Sequence, residues 1–170
     1  VTHTATRPPK YKLENRFFEL AELKMLVDAV QSSKFITAGK SREIIEKLGF
    51  FAGAHHSREL SRQVYVEDRI KTVNPASIYS IDSIHAAIND GKKLSFKYFD
   101  YNGEKKKVLR HNGAPYTVSP CALMWDDERY YLVAYDENDK IIKNFRVDKM
   151  QDVLPLDEAK STDPSLEKFN

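Results

Sequence analysis

Between Asn144 and Asp148 the chain spaces its residues as a binding strand would. Strand alternation puts Phe145 and Val147 on one face and Asn144, Arg146 and Asp148 on the other. In Tyr130 to Tyr135 the same period groups Tyr131, Val133 and Tyr135 opposite Tyr130, Leu132 and Ala134. A guanidinium beside an exposed tyrosine can stack a base and pair a phosphate, so Arg146 with Tyr131 is a candidate recognition surface. The competing reading is that Arg146 and Asp148 pair with neighbours to close the fold and that Tyr131 is core.

Catalytic patterns are sparse. His55 and His56 are adjacent, so on a helix they point in different directions and do not form a ligand pair of the kind that i and i+4 provides. Asp136, Glu137 and Asp139 cluster, but the central Gly and the Glu at the twelfth position of a calcium loop are missing, and a polar hairpin tip is expected. Cys121 beside Pro120 has no base close in sequence and reads as a small buried residue. No glycine loop that could cradle phosphate is present. The chain is therefore expected to be non-enzymatic, with no cofactor and no metal site.

The elements that would carry these residues follow from pattern. From Ile78 onward one short helix, with Asp82 as its N-cap, Ile84, Ala87 and Ile88 on its apolar face and Gly91 as its stop, leads into a run of strands. Leu94, Phe96 and Tyr98 alternate, Asn102-Gly103 signals a hairpin, and Lys107 to Arg110 returns. Tyr116 to Ser119, Ala122 to Trp125, Tyr130 to Tyr135 and Ile141 to Val147 are further strands, with turns at Pro120, Asp126-Asp127 and Asn138-Asp139. Upstream, Phe17, Leu20, Leu23, Val27 and Val30 share one face of a helix from about Glu14 to Gln31. Ser41 is placed to cap a second helix that carries Ile44, Ile45 and Leu48 and closes at Gly49. Those two helices could also be drawn as a helix-turn-helix, with Lys40, Arg42 and Lys47 reaching DNA. The segment joining them is long for the compact turn of that motif, which favours a connector packed on the small barrel that the strand run forms, or on a second protomer.

Composition bounds the rest. With 170 residues, 41% hydrophobic and 31% charged, the chain can bury a core, and one cysteine excludes an internal disulfide framework and a Cys-based zinc site. No apolar run is long enough to cross a bilayer, and Val1 to Pro9 lacks the apolar core of a signal peptide, so a cytoplasmic protein without a membrane partner is expected. An opening without Met suggests a piece of something longer. Net charge is only +2, yet residues 91–111 hold seven cations against two anions, a net of +5, and residues 151–170 hold five acids against two lysines, a net of −3. The first hairpin, with Lys105, Lys106 and Lys107, is a candidate nucleic-acid edge, although lysines on an edge strand also block aggregation.

Several blocks resemble the WYL domain in the right order over roughly 75 residues: Ser119-Pro120, Ala122-Leu123, Arg129-Tyr130-Tyr131-Leu132-Val133-Ala134-Tyr135-Asp136, and Asn144-Phe145-Arg146-Val147-Asp148-Lys149-Met150. Tyr130 stands where the family has Trp, and Lys149 stands for an Arg, which loses a planar fork. Cys121 stands where an aromatic is common. Glu14 to Val73 also resembles the helical connector of the same proteins, including the Tyr65 to Asn74 run and the Ile78-Tyr79 pair leading into Asp82. The resemblance implies an α+β chain: a helical connector or dimerisation segment over 1–75, an Sm-like or SH3-like small β-barrel over 76–155, and a linker over 156–170 toward a further C-terminal extension. It implies a bacterial transcriptional regulator in which the barrel senses a nucleotide or single-stranded nucleic acid and acts on a winged helix-turn-helix that binds DNA. The ligand set implied is Ser119, Tyr130, Tyr131, Arg146, Asp148, Lys149, Arg110 and His111, and a homodimer is the expected assembly. The alternative is a nucleic-acid-binding accessory barrel that acts directly.

Overall fold

The computed structural model describes residues 17–60 and 71–163. Glu14, Tyr65 to Ile70 and the tail from residue 164 lie outside the described residues, as do the side chains of His55 and His56.

Two helices come first. α1 (Leu20–Ser32) opens on a capping box, with Glu19 and Glu22 bonding each other's backbone N–H. α2 (Ala38–Leu60) returns antiparallel to it: Phe18 meets Phe51 edge-on at 5.7 Å near one end, and Ser41 Oγ donates to the Val30 carbonyl at 3.4 Å near the other. Leu23 and Val27, one turn apart, are buried among Ala52, Leu60, Leu20, Ile45 and Leu48. The expected apolar face is thus real in its centre, but Phe17 precedes the helix and is 94% exposed. Ser41 is not the cap of α2. Thr37 Oγ1 accepts the Lys40 N–H at 3.2 Å, and Ser41, inside the helix, receives a bond from Lys71 Nζ at 2.9 Å. That ammonium also donates to the carbonyls of Val30 (3.2 Å) and Ser33 (3.0 Å), where the end of α1 leaves acceptors open. Nor does α2 stop at Gly49; it continues to Leu60 across a break at Gly53, where φ 77 and ψ 162 suit only glycine.

α3 (Ser77–Asn89) starts five residues before the expected Asp82 cap. Asn74 sets the start instead: its Oδ1 accepts the Ala76 N–H at 3.1 Å and its carbonyl accepts Ser77 Oγ at 2.8 Å. Asp82 is exposed within the helix, while Ile84 and Ala87 are fully buried against the sheet and Gly91, at φ 61, ends the helical stretch.

Six antiparallel strands follow and curl over α3 as a half-barrel, so the described residues are α+β: three helices, then the sheet. They are β1 (Lys92–Tyr101), β2 (Lys107–Leu109), β3 (Tyr116–Asp126), β4 (Arg129–Asp136), β5 (Ile141–Arg146) and β6 (Met150–Ala159). The order is β2-β1-β3-β4-β5, with β6 also on β1. The core holds the aromatic group Phe96, Tyr98, Tyr116 and Phe145, the aliphatics Leu94, Val118, Leu132, Val147 and Met150, and Phe35 from the α1–α2 loop.

Three strand details differ from the sequence reading. Pro120 lies inside β3 instead of at a turn, with the register shift between Pro120 and Ala122 absorbing its missing N–H. The Asn102-Gly103 hairpin has a longer loop: Asn102 Oδ1 accepts the N–H groups of Glu104 (3.0 Å) and Lys106 (2.8 Å), and Lys105, at φ 59, takes the left-handed position. Residues 156–159, read as the start of a linker, complete β6, with Ala159 opposite Lys92. The β3–β4 turn uses Asp127 (φ 44) and Glu128 (φ 58), both left-handed, as a two-residue hairpin of the primed kind requires. At the β4–β5 tip, Asp136 Oδ1 accepts the N–H groups of Asn138 and Asp139, which makes a polar Asx turn. No helix among the described residues is long and apolar enough to cross a membrane.

Candidate functional site

The end of β5 and the short turn after it, Val147–Lys149, bring Arg146, Asp148 and Lys149 beside β1. Phe145 is buried and Arg146 opposite it is not, as alternation requires, but the strand ends at Arg146 and not at Val147; the 3-10 turn then buries Val147 and returns Asp148 to the side of Arg146. Arg146 grips Asp148 as a fork, Nε to Oδ1 at 3.0 Å and Nη2 to Oδ2 at 2.7 Å, and Arg129 at the start of β4 reaches the same carboxylate at 3.3 Å.

A second carboxylate is shared in the same way. Asp100 near the end of β1 accepts Arg110 Nε at 2.6 Å and Lys149 Nζ at 2.5 Å. The hydrogen bond from Lys149, then that from Arg110, holds the Asp100 carboxyl below the usual aspartate range, and Asp100 in turn raises Arg110 further above its usual value.

Tyr98 joins the two groups. Its hydroxyl accepts the Arg146 N–H at 3.1 Å, and the Arg110 guanidinium lies 5.2 Å from its ring centre. Burial pushes the Tyr98 phenol up, which keeps it a neutral acceptor and donor. Beside them His111, in a left-handed turn at φ 50, stacks on Tyr116 with ring centres 4.6 Å apart and its Nε2 within 3.2 Å of the Tyr116 hydroxyl. Tyr131 is the cross-strand neighbour of Arg146 and is half-buried. Four cations (Arg110, Arg129, Arg146, Lys149) thus surround two carboxylates (Asp100, Asp148), which leaves two positive charges in excess.

Of the residues singled out in the sequence, Arg110, His111, Arg146, Asp148 and Lys149 converge here, with Tyr131 alongside. Ser119 and Tyr130 are elsewhere. Ser119 is fully buried, donates to Glu137 Oε1 at 2.5 Å and accepts the Ser161 N–H at 2.7 Å, so it fastens the chain that leaves β6. Tyr130 points to the core side, between Phe35 (5.0 Å) and Trp125 (4.6 Å). Tyr98, Asp100 and Arg129 were not foreseen. Asp100 carries a signal in retrospect, as one of two acids in a strongly cationic stretch, while Tyr98 looked like any alternating core aromatic.

Three of the seven cations in residues 91–111 are paired by the acidic segment that lies beside them. In the β1–β6 ladder Lys92 meets Asp157 (2.9 Å), Lys93 meets Glu158 (3.2 Å) and Lys97 meets Asp152 (3.0 Å). At the tip Lys106 pairs with Glu104 at 2.8 Å and Lys107 lies 3.8 Å above the Phe99 ring. The two opposite charge blocks of the sequence are therefore partners. Cys121 is half-buried, and burial pushes its thiol up, away from a nucleophilic thiolate. Among the described residues no group of three or more His, Cys, Asp or Glu could hold a metal ion.

A small curled antiparallel sheet over one helix, with a charged and aromatic site at the seam between β1 and β5, defines a half-barrel module. Residues 80–155 match the WYL domain. Among solved structures, Proteasome accessory factor B/C (PafBC) of Arthrobacter aurescens is similar at 22% identity and a TM-score of 0.43, over 85% of this chain and 22% of that one. The chain spans about a fifth of that protein's length. No curated protein matches the chain.

Proposed function

We propose that the chain is the effector-sensing part of a bacterial transcriptional regulator, and that its seam site binds a nucleotide or a single-stranded nucleic acid. The observation that carries this reading is the pair of cation–carboxylate–cation groups joined by Tyr98. The carboxylates orient the guanidinium groups without exhausting their donors, because an arginine has five N–H groups and Arg146 spends two on Asp148. A phosphate entering the seam meets preset donors and an excess of positive charge. Tyr131 and His111 offer flat faces for a base. The role is regulatory and not catalytic. In the whole protein the effector biases the connector helices, and through them a winged helix-turn-helix that binds DNA as a homodimer in the cytoplasm.

The test is length dependence. Calorimetric titration with single strands of increasing length should saturate at one site, with affinity levelling off once a few nucleotides fill the seam. Affinity that keeps tightening with length would favour the direct-binding accessory barrel instead.

A further inference from the structure

We propose that the β3–β4 hairpin is the element that transmits occupancy of the seam to the helical pair, by way of three consecutive residues. Glu128 pairs with Lys34 at 3.7 Å, Arg129 with Asp148 at 3.3 Å, and Tyr130 packs edge-on against Phe35 at 5.0 Å. Alternation along β4 explains the division between Arg129, which faces the seam, and Tyr130, which faces the α1–α2 loop, while Glu128 reaches Lys34 from the turn before the strand. Phe35 is 3% exposed and belongs to the barrel's own core, although it comes from the loop between the two helices. It is a plug set into the barrel by the helical segment, and Tyr130 is the wall it rests on.

A second thread runs beside the first. The Asp148 carbonyl accepts the Asn74 side-chain amide at 3.2 Å, and Met150 accepts it at 2.9 Å. Asn74 sets the start of α3, and nearby the Thr72 N–H donates to the Lys34 carbonyl at 2.8 Å. Asp148 therefore touches the seam with its side chain and the connector with its backbone. The hairpin turn itself is built from two non-glycine residues in left-handed conformations, which a shift at Arg129 can relax. A ligand that draws Arg129 or Arg146 off Asp148 releases the start of β4, and with it the seat of Phe35. The inference rests on the proposed function only for what occupies the seam; the coupling itself is a property of the chain alone.

The experiment reads amide hydrogen exchange by mass spectrometry on the whole chain, without ligand, for wild type, Asp148→Asn, Phe35→Leu and the double variant. Asp148→Asn should accelerate exchange in residues 33–37 by about fivefold, and the double variant should show less than the product of the single effects, as coupled neighbours do. Unchanged exchange at 33–37 in Asp148→Asn, or effects that simply multiply, would overturn the proposal. If Asp148→Asn loosens β1 and β3 as well, Arg129→Lys, which leaves Asp148 paired with Arg146, takes its place with the same two outcomes. An oligothymidylate of about ten nucleotides is then added to wild type. Binding that leaves 33–37 unmoved contradicts the coupling. Failure to bind at all, with the cycle intact, contradicts the proposed function and leaves the coupling standing.

Discussion

Asp148 and Asp100 carry unequal burdens from the cations they serve. Removing Arg146 leaves Asp148 still bonded to Arg129, so Arg146→Ala should cost only about 1 kcal/mol in urea unfolding, whereas Asp148→Ala leaves two guanidinium groups facing each other and should cost about 2–3 kcal/mol. An Arg146→Ala variant that loses more than Asp148→Ala would assign the arginine to the fold. Lys149 and Arg110 hold Asp100 below the ordinary aspartate value of 3.8; at Asp136 burial pushes the carboxyl up, but Lys143 at 2.7 Å and the Asn138 and Asp139 N–H groups outweigh it and leave it lowered too. A depressed folded value means that the unfolded chain takes up the proton first. The stability these groups contribute is therefore present above pH 3.8 and is lost as the pH falls below it. Asp100→Asn should flatten the fall of unfolding free energy with acidification between about pH 5 and 2, and an unchanged slope would show that Asp100 has no such part.

At the scale of elements, the break in α2 gives the sharpest contrast. A Cβ at Gly53 meets nothing within 4 Å, so any cost of Gly53→Ala comes from its backbone at φ 77, and it should destabilise by about 1–3 kcal/mol. Gly39, near the start of the same helix and equally open, has no positive φ, and Gly39→Ala should be neutral or stabilise by up to about 1 kcal/mol. Denaturant midpoints of both variants check this, and a stabilising Gly53→Ala would mean that α2 prefers to run straight. The elements were legible in the sequence wherever local pattern and tertiary packing agree: α3's apolar face, the alternation of β1, β4 and β5, the polar β4–β5 tip. They were misread where a partner distant in sequence decides the outcome. Ser41 looks like a cap until Lys71 reaches it, Asp82 looks like a cap until Asn74 is seen to hold both the helix start and Asp148, and Pro120 looks like a turn until β4 pairs across it. A third of the site was hidden for the same reason, since Tyr98, Asp100 and Arg129 gain their meaning only when the fold sets them against Arg146, Asp148 and Lys149, which lie 17 or more positions further along the chain.

In the whole molecule, long-range pairing covers both the apolar face of α1 and part of the positive charge of β1. Leu23 and Val27 are covered by α2 of the same chain, so Leu23→Asp should unfold the helical pair and should not merely dissociate a dimer; sedimentation and circular dichroism together separate these outcomes. Any self-association through the helices would have to use outward residues such as Met25 and Phe50. The pairing of β1 with β6 likewise uses Lys92, Lys93 and Lys97 within the fold, which leaves two surfaces where cations exceed carboxylates: the seam, and the hairpin tip with Lys105, Lys106 and Lys107 against Glu104. The most direct test compares the two surfaces in one titration: anisotropy of a labelled oligothymidylate of about ten nucleotides against wild type, Arg146→Ala, and a Lys105→Gln, Lys106→Gln, Lys107→Gln triple variant. The seam predicts saturable binding that weakens by about tenfold or more with Arg146→Ala, one good charge-assisted contact, and hardly changes in the triple variant. Full affinity in a folded Arg146→Ala, with binding lost in the lysine variant, would contradict it.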